Sequence, residues 1–386
     1  MIGIFAAKRT AIGSFQGQFS QFSATDLGAH AIKAVTESST KIKIDEVLMG
    51  CVLQAGLGQA PARQASIKAG LSHLTPTTTI NKVCGSGMQS IIFACDSIRS
   101  GRIGAAIAGG MESMTNAPYA LEKSRSGYRF GHNIILDLML HDGLEDSFAK
   151  IKDKNRCAMG HIADATAAKY GITRDLQERF AKETHEKALN AQNSNAFEWE
   201  ITPITHKDRN GEKILNTDEQ ISRVNPEKFS SLKPAFNQDG SITAATSSSI
   251  ADGSAAIMLS SNAKEAPFKI VGYICHAQSP ETFTEAPIQA IEKLCKQIDW
   301  DIKSVDAFEI NEAFAIVPIL AINSLGIPRE KVNIFGGACA IGHPIGASGA
   351  RIVVTLLNIM QKYELKRGIA SVCIGGGEAT AIAIER

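Results

Sequence analysis

The chain carries apolar positions in two registers, and the switch between them predicts a repeated α/β plan. Residues 77–83 are rich in β-branched side chains and read as a strand. Gly85 and Gly87 mark a turn, after which Met88, Ile91, Ile92, Cys95 and Ile98 recur at helical spacing. Residues 105–108 form a short apolar run, expected as a strand that ends at Gly109-Gly110. The last third follows the same order. Residues 305–310 read as a strand. Residues 332–335 read as another, ending at Gly336-Gly337. A Gly-rich loop leads to a helix over 352–360, then to a strand over 369–374 that stops at three glycines.

Two pairs of segments support an internal duplication. Ile107-Ala-Gly-Gly-Met-Glu112 resembles Ile374-Gly-Gly-Gly-Glu378, and Ile44-Asp-Glu-Val-Leu48 resembles Val305-Asp-Ala-Phe-Glu309. Asp96 is the only charge between Ser86 and Ser97, and Arg351 the only one between Ala347 and Met360. A helix without a polar face is buried on all sides. One such helix per half predicts sheets packed around a central helical layer.

The middle of the chain, about 115–241, is more polar and irregular. It holds the clusters Lys123-Ser-Arg-Ser-Gly127 and His206-Lys-Asp-Arg-Asn-Gly211, and an amphipathic helix over 175–189 capped by Thr173. Such an insertion is a lid, a ligand-binding or oligomerisation region, or a tolerated surface elaboration.

With 386 residues, 44% hydrophobic and 20% charged, the chain can build a large ordinary core in two or three domains. A net charge of +1 provides no electrostatic footprint for nucleic acid or an anionic membrane. The longest near-apolar stretch, 313–322, contains Pro318 and is too short to span a bilayer. Residues 1–7 reach Lys8-Arg9 without the features of a signal or transit peptide, so a cytoplasmic location is expected. None of the eight cysteines sits at C-x-x-C spacing, so neither a zinc ribbon nor a metal site is expected.

Two cysteines and one histidine stand where chemistry is favoured. Cys84 lies between a predicted strand and the start of a buried helix, where the helix dipole is expected to lower a thiol pKa. Gly85 and Gly87 leave room for a carbonyl to approach; the alternative is a packed Cys in a tight turn. His343, in Gly342-His-Pro-Ile-Gly346, has a rigid, open backbone. The loop is not a phosphate cradle of the G-x-x-x-x-G-K-[ST] type. Gly56-Leu-Gly58 is not a dinucleotide fingerprint either, because Pro61 replaces the third glycine. Cys373 ends a strand just before three glycines whose N–H groups can meet an oxyanion. Asn311-Glu-Ala-Phe314 follows a strand end, where α/β ligand sites assemble.

Five segments, in order, resemble the thiolase family: Asn81-Lys-Val-Cys-Gly-Ser-Gly-Met88, Gly109-Gly-Met-Glu-Ser-Met114, Asn311-Glu-Ala-Phe314, Gly336-Gly-Ala-Cys-Ala-Ile-Gly-His-Pro-Ile-Gly-Ala-Ser-Gly349 and Cys373-Ile-Gly-Gly-Gly377. The resemblance covers essentially the whole chain. It implies a five-layered α-β-α-β-α duplication with an inserted loop domain. The implied division is 1–114 with 242–264 as the N-terminal half, 115–241 as the loop domain, and 265–386 as the C-terminal half.

The resemblance also implies chemistry. Cys84 attacks an acyl-CoA thioester and His343 takes its proton. Cys373 removes a proton from the α-carbon of a second acetyl-CoA, giving ping-pong kinetics. His343, with a water held by Asn311, meets one oxyanion; the N–H groups of Cys84 and Gly375 meet the other. Ser248, Met159, Phe314 and Arg223 match positions along the coenzyme A channel. Acetyl-CoA and CoA are substrates, and no further cofactor is implied. A homodimer, and by the loop a homotetramer, is expected.

Ala60-Pro-Ala-Arg63, Met111-Glu-Ser-Met-Thr-Asn-Ala-Pro-Tyr119 and Ser126-Gly-Tyr-Arg-Phe-Gly131 look like the biosynthetic, acetoacetyl-CoA type, the last being part of its tetramerisation loop. Two positions depart from that type: Ala158 stands in place of a frequent His, and Thr246 in place of a common Asn. The smaller, less polar Ala158 predicts room for longer 3-ketoacyl chains beside acetoacetyl-CoA. Either synthesis or thiolysis is compatible with these residues. A ketoacyl synthase would carry His or Asn in place of Cys373. A non-catalytic acyl-CoA carrier would lose Cys84, His343 or Cys373. A cysteine hydrolase using Cys84 and His343 would release free acid.

Overall fold

The structure is a computed structural model and describes residues 1–39, 42–148, 156–209 and 211–386. Asn210, at the tip of the cluster noted around His206, lies outside the described residues.

The first half is built from β1 (Ile2–Arg9), α1 (Ala24–Ser38), β2 (Glu46–Gly50), α2 (Pro61–Lys68), β3 (Thr77–Ile80), α3 (Ser86–Arg99) and β4 (Ala105–Ser113). An inserted region with helices α4 (Met159–Lys169) and α5 (Arg174–Asn193) follows, and β5 (Ala251–Ser260) completes the half. The second half contains β6 (Phe268–Ala277), α6 (Ala286–Gln297), β7 (Ala307–Ile310), α7 (Ile316–Leu325), α8 (Ile345–Lys362), β8 (Arg367–Ile374) and β9 (Glu378–Glu385).

The duplication is explicit in the strand order. The first half runs β3-β2-β4-β5-β1 and the second β7-β8-β9-β6. In each half the middle strands pair in parallel, and the first and last strands pair antiparallel with each other. The halves meet where β1 pairs antiparallel with β6, Ile2 opposite Ile270 and Ile4 opposite Phe268. Helices α1 and α2 cover one outer face, α6 covers the other, and α3 and α8 lie between the halves. This is the expected five-layered α/β stack.

The central layer dictates composition. Every residue of α8 from Ile345 to Met360 is buried. Glycines let α3, α8 and β4 approach closely: a Cβ on Gly349 would fall 2.6 Å from the Met88 nitrogen, and one on Gly110 would fall 2.0 Å from the Gly346 oxygen. Helix α3 differs from the expectation in one respect, because Phe93 and Asp96 form an exposed rim.

Two further expectations are corrected. Gly109 and Gly110 do not end a strand; β4 continues to Ser113, paired with β5. These glycines serve close approach rather than a turn. Residues 332–335 are not a strand: only Val332 bridges, in parallel, to Phe308. The Asn333 side chain replaces the next rung, accepting from the Ile310 N–H and donating to the Ile310 oxygen, both at 2.9 Å. Helix α5 is longer than predicted, and Thr173 caps it through the Leu176 N–H. Among the described residues no helix is long and apolar enough to cross a membrane.

Candidate active site

Cys84 follows Val83, whose φ of 47° is a left-handed conformation that β-branched residues avoid. The strained turn is held locally: the Lys82 N–H donates to Ser86 Oγ at 2.7 Å, and the Val83 N–H to Asn81 Oδ1 at 3.0 Å. It sets Cys84 just before the first turn of α3, with the sulfur toward the second half. There the backbone N–H groups of Gly375 and of Cys84 itself favour the charged form of the Cys84 sulfur. Burial nevertheless pushes the Cys84 thiol up to about 11. The expectation of a lowered pKa is therefore corrected, because loss of solvent outweighs the helix end and both donors.

His343 stands opposite, just before α8. Its N–H donates to the Ser249 oxygen at 3.0 Å. Its Nδ1 lies 2.5 Å from Ser348 Oγ, while its Nε2 is buried and meets no hydrogen-bonding group among the described residues. Burial, assisted by Arg351, lowers the imidazole to about 3. At neutral pH the resting site thus holds a thiol and a neutral imidazole, not an ion pair.

Cys373 ends β8 and is buried. Burial raises its thiol well above the ordinary range, and the nearby charge of Cys84 adds to this. The backbone N–H groups of Ala313 and of Cys373 itself act the other way, favouring the charged sulfur. Asn311 follows β7 and is fully buried; neither its Oδ1 nor its Nδ2 meets a partner among the described residues. These orphaned polar atoms sit where the ends of β7 and β8 converge, since the Asn311 N–H donates to the Ser371 oxygen.

A cavity of about 270 Å³ opens onto Cys84 and His343. Ala158, Met159, Ser248 and Phe314 line it, the last three being positions that the resemblance assigned to the coenzyme A channel. Ser248 is fixed by its N–H and hydroxyl, both donating to the Ala313 oxygen. Thr246 caps the preceding turn by accepting from the Thr243 N–H at 2.8 Å, and its oxygen accepts from the Ala315 N–H. Arg223 is outside the cavity lining: it is half exposed and paired with Glu219 at 2.5 Å.

Residues 2–263 match the family model described as thiolase, N-terminal domain, and residues 265–386 match thiolase, C-terminal domain. The chain belongs to the thiolase family. It is 43% identical to acetyl-CoA acetyltransferase 2 of Arabidopsis thaliana over 99% of this chain and 96% of that protein. It is 42% identical to an acetyl-CoA acetyltransferase of Chromobacterium violaceum over 100% and 99%. The crystal structure of the Bacillus anthracis acetyl-CoA acetyltransferase superposes with a TM-score of 0.95 at 36% identity, over 100% of this chain and 98% of that one. A thiolase from Ascaris suum, solved in complex with coenzyme A, superposes at 0.92 with 38% identity, over 100% and 99%.

Other parts of this thiolase site escaped the sequence reading. Leu140, Leu144 and Phe236 come from the inserted region and line the cavity, but their spacing carries no periodic signal. Glu112 was legible only as part of a motif. Its buried carboxylate accepts from the N–H groups of Val52, Leu53 and Gly346, at 3.0, 3.1 and 2.9 Å.

Proposed function

We propose that the chain is an acetyl-CoA C-acetyltransferase that interconverts two acetyl-CoA with acetoacetyl-CoA and CoA. The observation that carries this reading is the shared cavity: Cys84 and His343 line one apolar space, His343 Nε2 has no hydrogen-bonding partner among the described residues, and the charge of Cys84 acts on Cys373. The names of the relatives support the same assignment.

Cys84 gives its proton to His343 Nε2 as its sulfur attacks the thioester carbonyl. The bond to the CoA sulfur breaks, and the CoA thiolate leaves with the proton of Cys373. The acyl-enzyme is itself a thioester, so this exchange is nearly balanced. The Cys373 thiolate then takes an α-proton from a second acetyl-CoA. The enolate carbon attacks the acyl group, the bond to Cys84 breaks, and Cys84 recovers its proton from His343. The N–H groups of Cys84 and Gly375 already converge at the Cys84 sulfur, which suits them to the oxyanion formed there. His343 Nε2 and a water held by Asn311 serve the enolate oxygen. Coenzyme A is substrate in both half-reactions, lying along Met159, Ser248 and Phe314.

Longer 3-ketoacyl-CoA substrates are also accepted in this reading, because Ala158, Leu144 and Ile345 leave an apolar lining beside Cys84. The boundaries 1–114 with 242–264, 115–241 and 265–386 are proposed as domains, the last beginning where the second family model begins. A homotetramer is proposed from the exposed Tyr119, Phe130, Ile134 and Ile135 of the inserted region. Cytoplasmic location is part of the same proposal.

The test uses acetyl-CoA alone, with CoA release, acetoacetyl-CoA and free acetate followed together. The wild type forms acetoacetyl-CoA, Cys84→Ala is inert, and Cys373→Ala acylates without condensing. Acetate as the only product would instead make the protein a hydrolase.

A further inference from the structure

The orientation of the His343 ring raises a question that its burial makes answerable: which nitrogen carries the proton. Among the described residues Nδ1 has one neighbour in hydrogen-bond range, Ser348 Oγ at 2.5 Å. Ser348 is fully buried in the first turn of α8, and its hydroxyl lies 2.9 Å from the Pro344 oxygen, four residues back. A hydroxyl has a single proton. At a helix start it donates readily to the carbonyl of residue i−4. With that proton on Pro344, Ser348 Oγ has only lone pairs to offer His343.

We propose that Ser348 is a positioning residue that holds His343 in the Nδ1–H tautomer, leaving the Nε2 lone pair toward Cys84. This rests on the proposed function only for its catalytic consequence; the tautomer itself is a property of the fold. The relay runs Cys84 Sγ, His343 Nε2, His343 Nδ1–H, Ser348 Oγ–H, Pro344 oxygen. When Cys84 gives its proton to Nε2, the Nδ1–H stays on Ser348 and nothing else changes charge.

The helix makes this a fixed device. Pro344 has φ −65°, and its oxygen also accepts the N–H groups of Ala347 and Ser348 at 3.0 Å. His343, Pro344 and Ser348 therefore form one closed turn, and the ring cannot turn about Cβ–Cγ without losing Ser348. A neutral hydroxyl also differs from a carboxylate partner. It fixes the tautomer without adding an anion, and so without stabilising the imidazolium. This agrees with the low imidazole pKa beside Arg351. Among the described residues the charged group acting on the ring is Arg351, and Glu112 acts on Cys84 from β4.

Two measurements test it. Neutron diffraction of the deuterium-exchanged protein locates the imidazole deuteron: density on Nδ1 is expected, and density on Nε2 alone overturns the proposal. The second follows alkylation of Cys84 by iodoacetamide, which requires no substrate, beside acetylation by acetyl-CoA. Ser348→Ala is expected to slow alkylation at least about tenfold at pH 7. It should slow acetylation equally, with little change in KM and in melting temperature. Ser348→Thr, which keeps the hydroxyl, is expected to recover most of both rates. Wild-type alkylation kinetics in a folded Ser348→Ala protein would overturn the proposal. Loss of acetylation alone in the wild type would refute the proposed function and leave the tautomer assignment standing.

Discussion

The Glu112 carboxylate, on a strand of the first half, accepts the N–H of Gly346, in the first turn of the central helix of the second half, at 2.9 Å. The same carboxylate holds Val52 and Leu53. It thereby ties the His343 loop to the half that carries Cys84. Glu112→Ala leaves three buried donors without an acceptor and should cost about 3 kcal/mol or more. Thermal unfolding of the variant reads this; an unchanged midpoint would remove Glu112 from the frame.

Glu112 also makes the protein pH-sensitive. Burial raises its carboxyl to about 7, against the backbone donors that favour its charged form. The folded pKa thus exceeds the unfolded value near 4.5. The folded state binds more protons between the two, so the associated stability is complete below pH 4.5 and is lost as pH rises through 7. Glu112→Gln should flatten the dependence of the melting temperature on pH between 5 and 8. A curve parallel to the wild type would contradict the assignment.

The reactive pair should titrate elsewhere. With Cys84 raised to about 11 and His343 lowered to about 3, neither group changes charge between pH 5 and 9. Ionisation of Glu112 raises Cys84 further. The rate of Cys84 acylation should therefore show one inflection near pH 7, which disappears in Glu112→Gln. Stopped-flow acylation across that range provides the profile. An inflection that persists in the variant would assign it to another group.

Close approach in the central layer predicts a sharp contrast between two glycines. A Cβ at Gly110 would lie 2.0 Å from a backbone oxygen of Gly346, whereas one at Gly104 meets only the far end of Asp45 at 3.4 Å. Gly110→Ala should cost about 3 kcal/mol and reduce soluble yield, and Gly104→Ala should cost less than about 0.5 kcal/mol. Denaturation curves for both decide it, and equal midpoints would refute the packing argument.

Chain length should depend on Ala158. Filling this wall with Ala158→Leu is expected to reduce thiolysis of six-carbon and longer 3-ketoacyl-CoA about tenfold or more, with a smaller loss on acetoacetyl-CoA. A chain-length panel of kcat/KM provides the comparison. Equal losses at every length would place the acyl group elsewhere.

What was legible in the sequence was local. Cys84, His343 and Cys373 stand in Gly-rich segments whose order persists in the linear chain. The buried helices were legible because Asp96 and Arg351 stand almost alone among apolar residues. What was not legible depended on neighbours remote in sequence. Gly109-Gly110 reads as a strand end because glycine marks both turns and close contacts, and only the position of Gly346 separates the two. The 332–335 strand fails because the Asn333 side chain substitutes for a ladder rung. The Cys84 pKa was expected in the wrong direction because a helix end is visible in sequence and depth of burial is not.

The proposed reacting groups are divided between the two halves, and this has a consequence for biosynthesis. Cys84 leaves the ribosome within the first quarter of 386 residues, whereas His343 and Cys373 arrive near the end. Until residue 343 has been made, the nascent polypeptide therefore carries the proposed nucleophile without its proposed base. In the proposed mechanism, a product ending before residue 343 lacks both His343 and Cys373 and cannot complete the condensation.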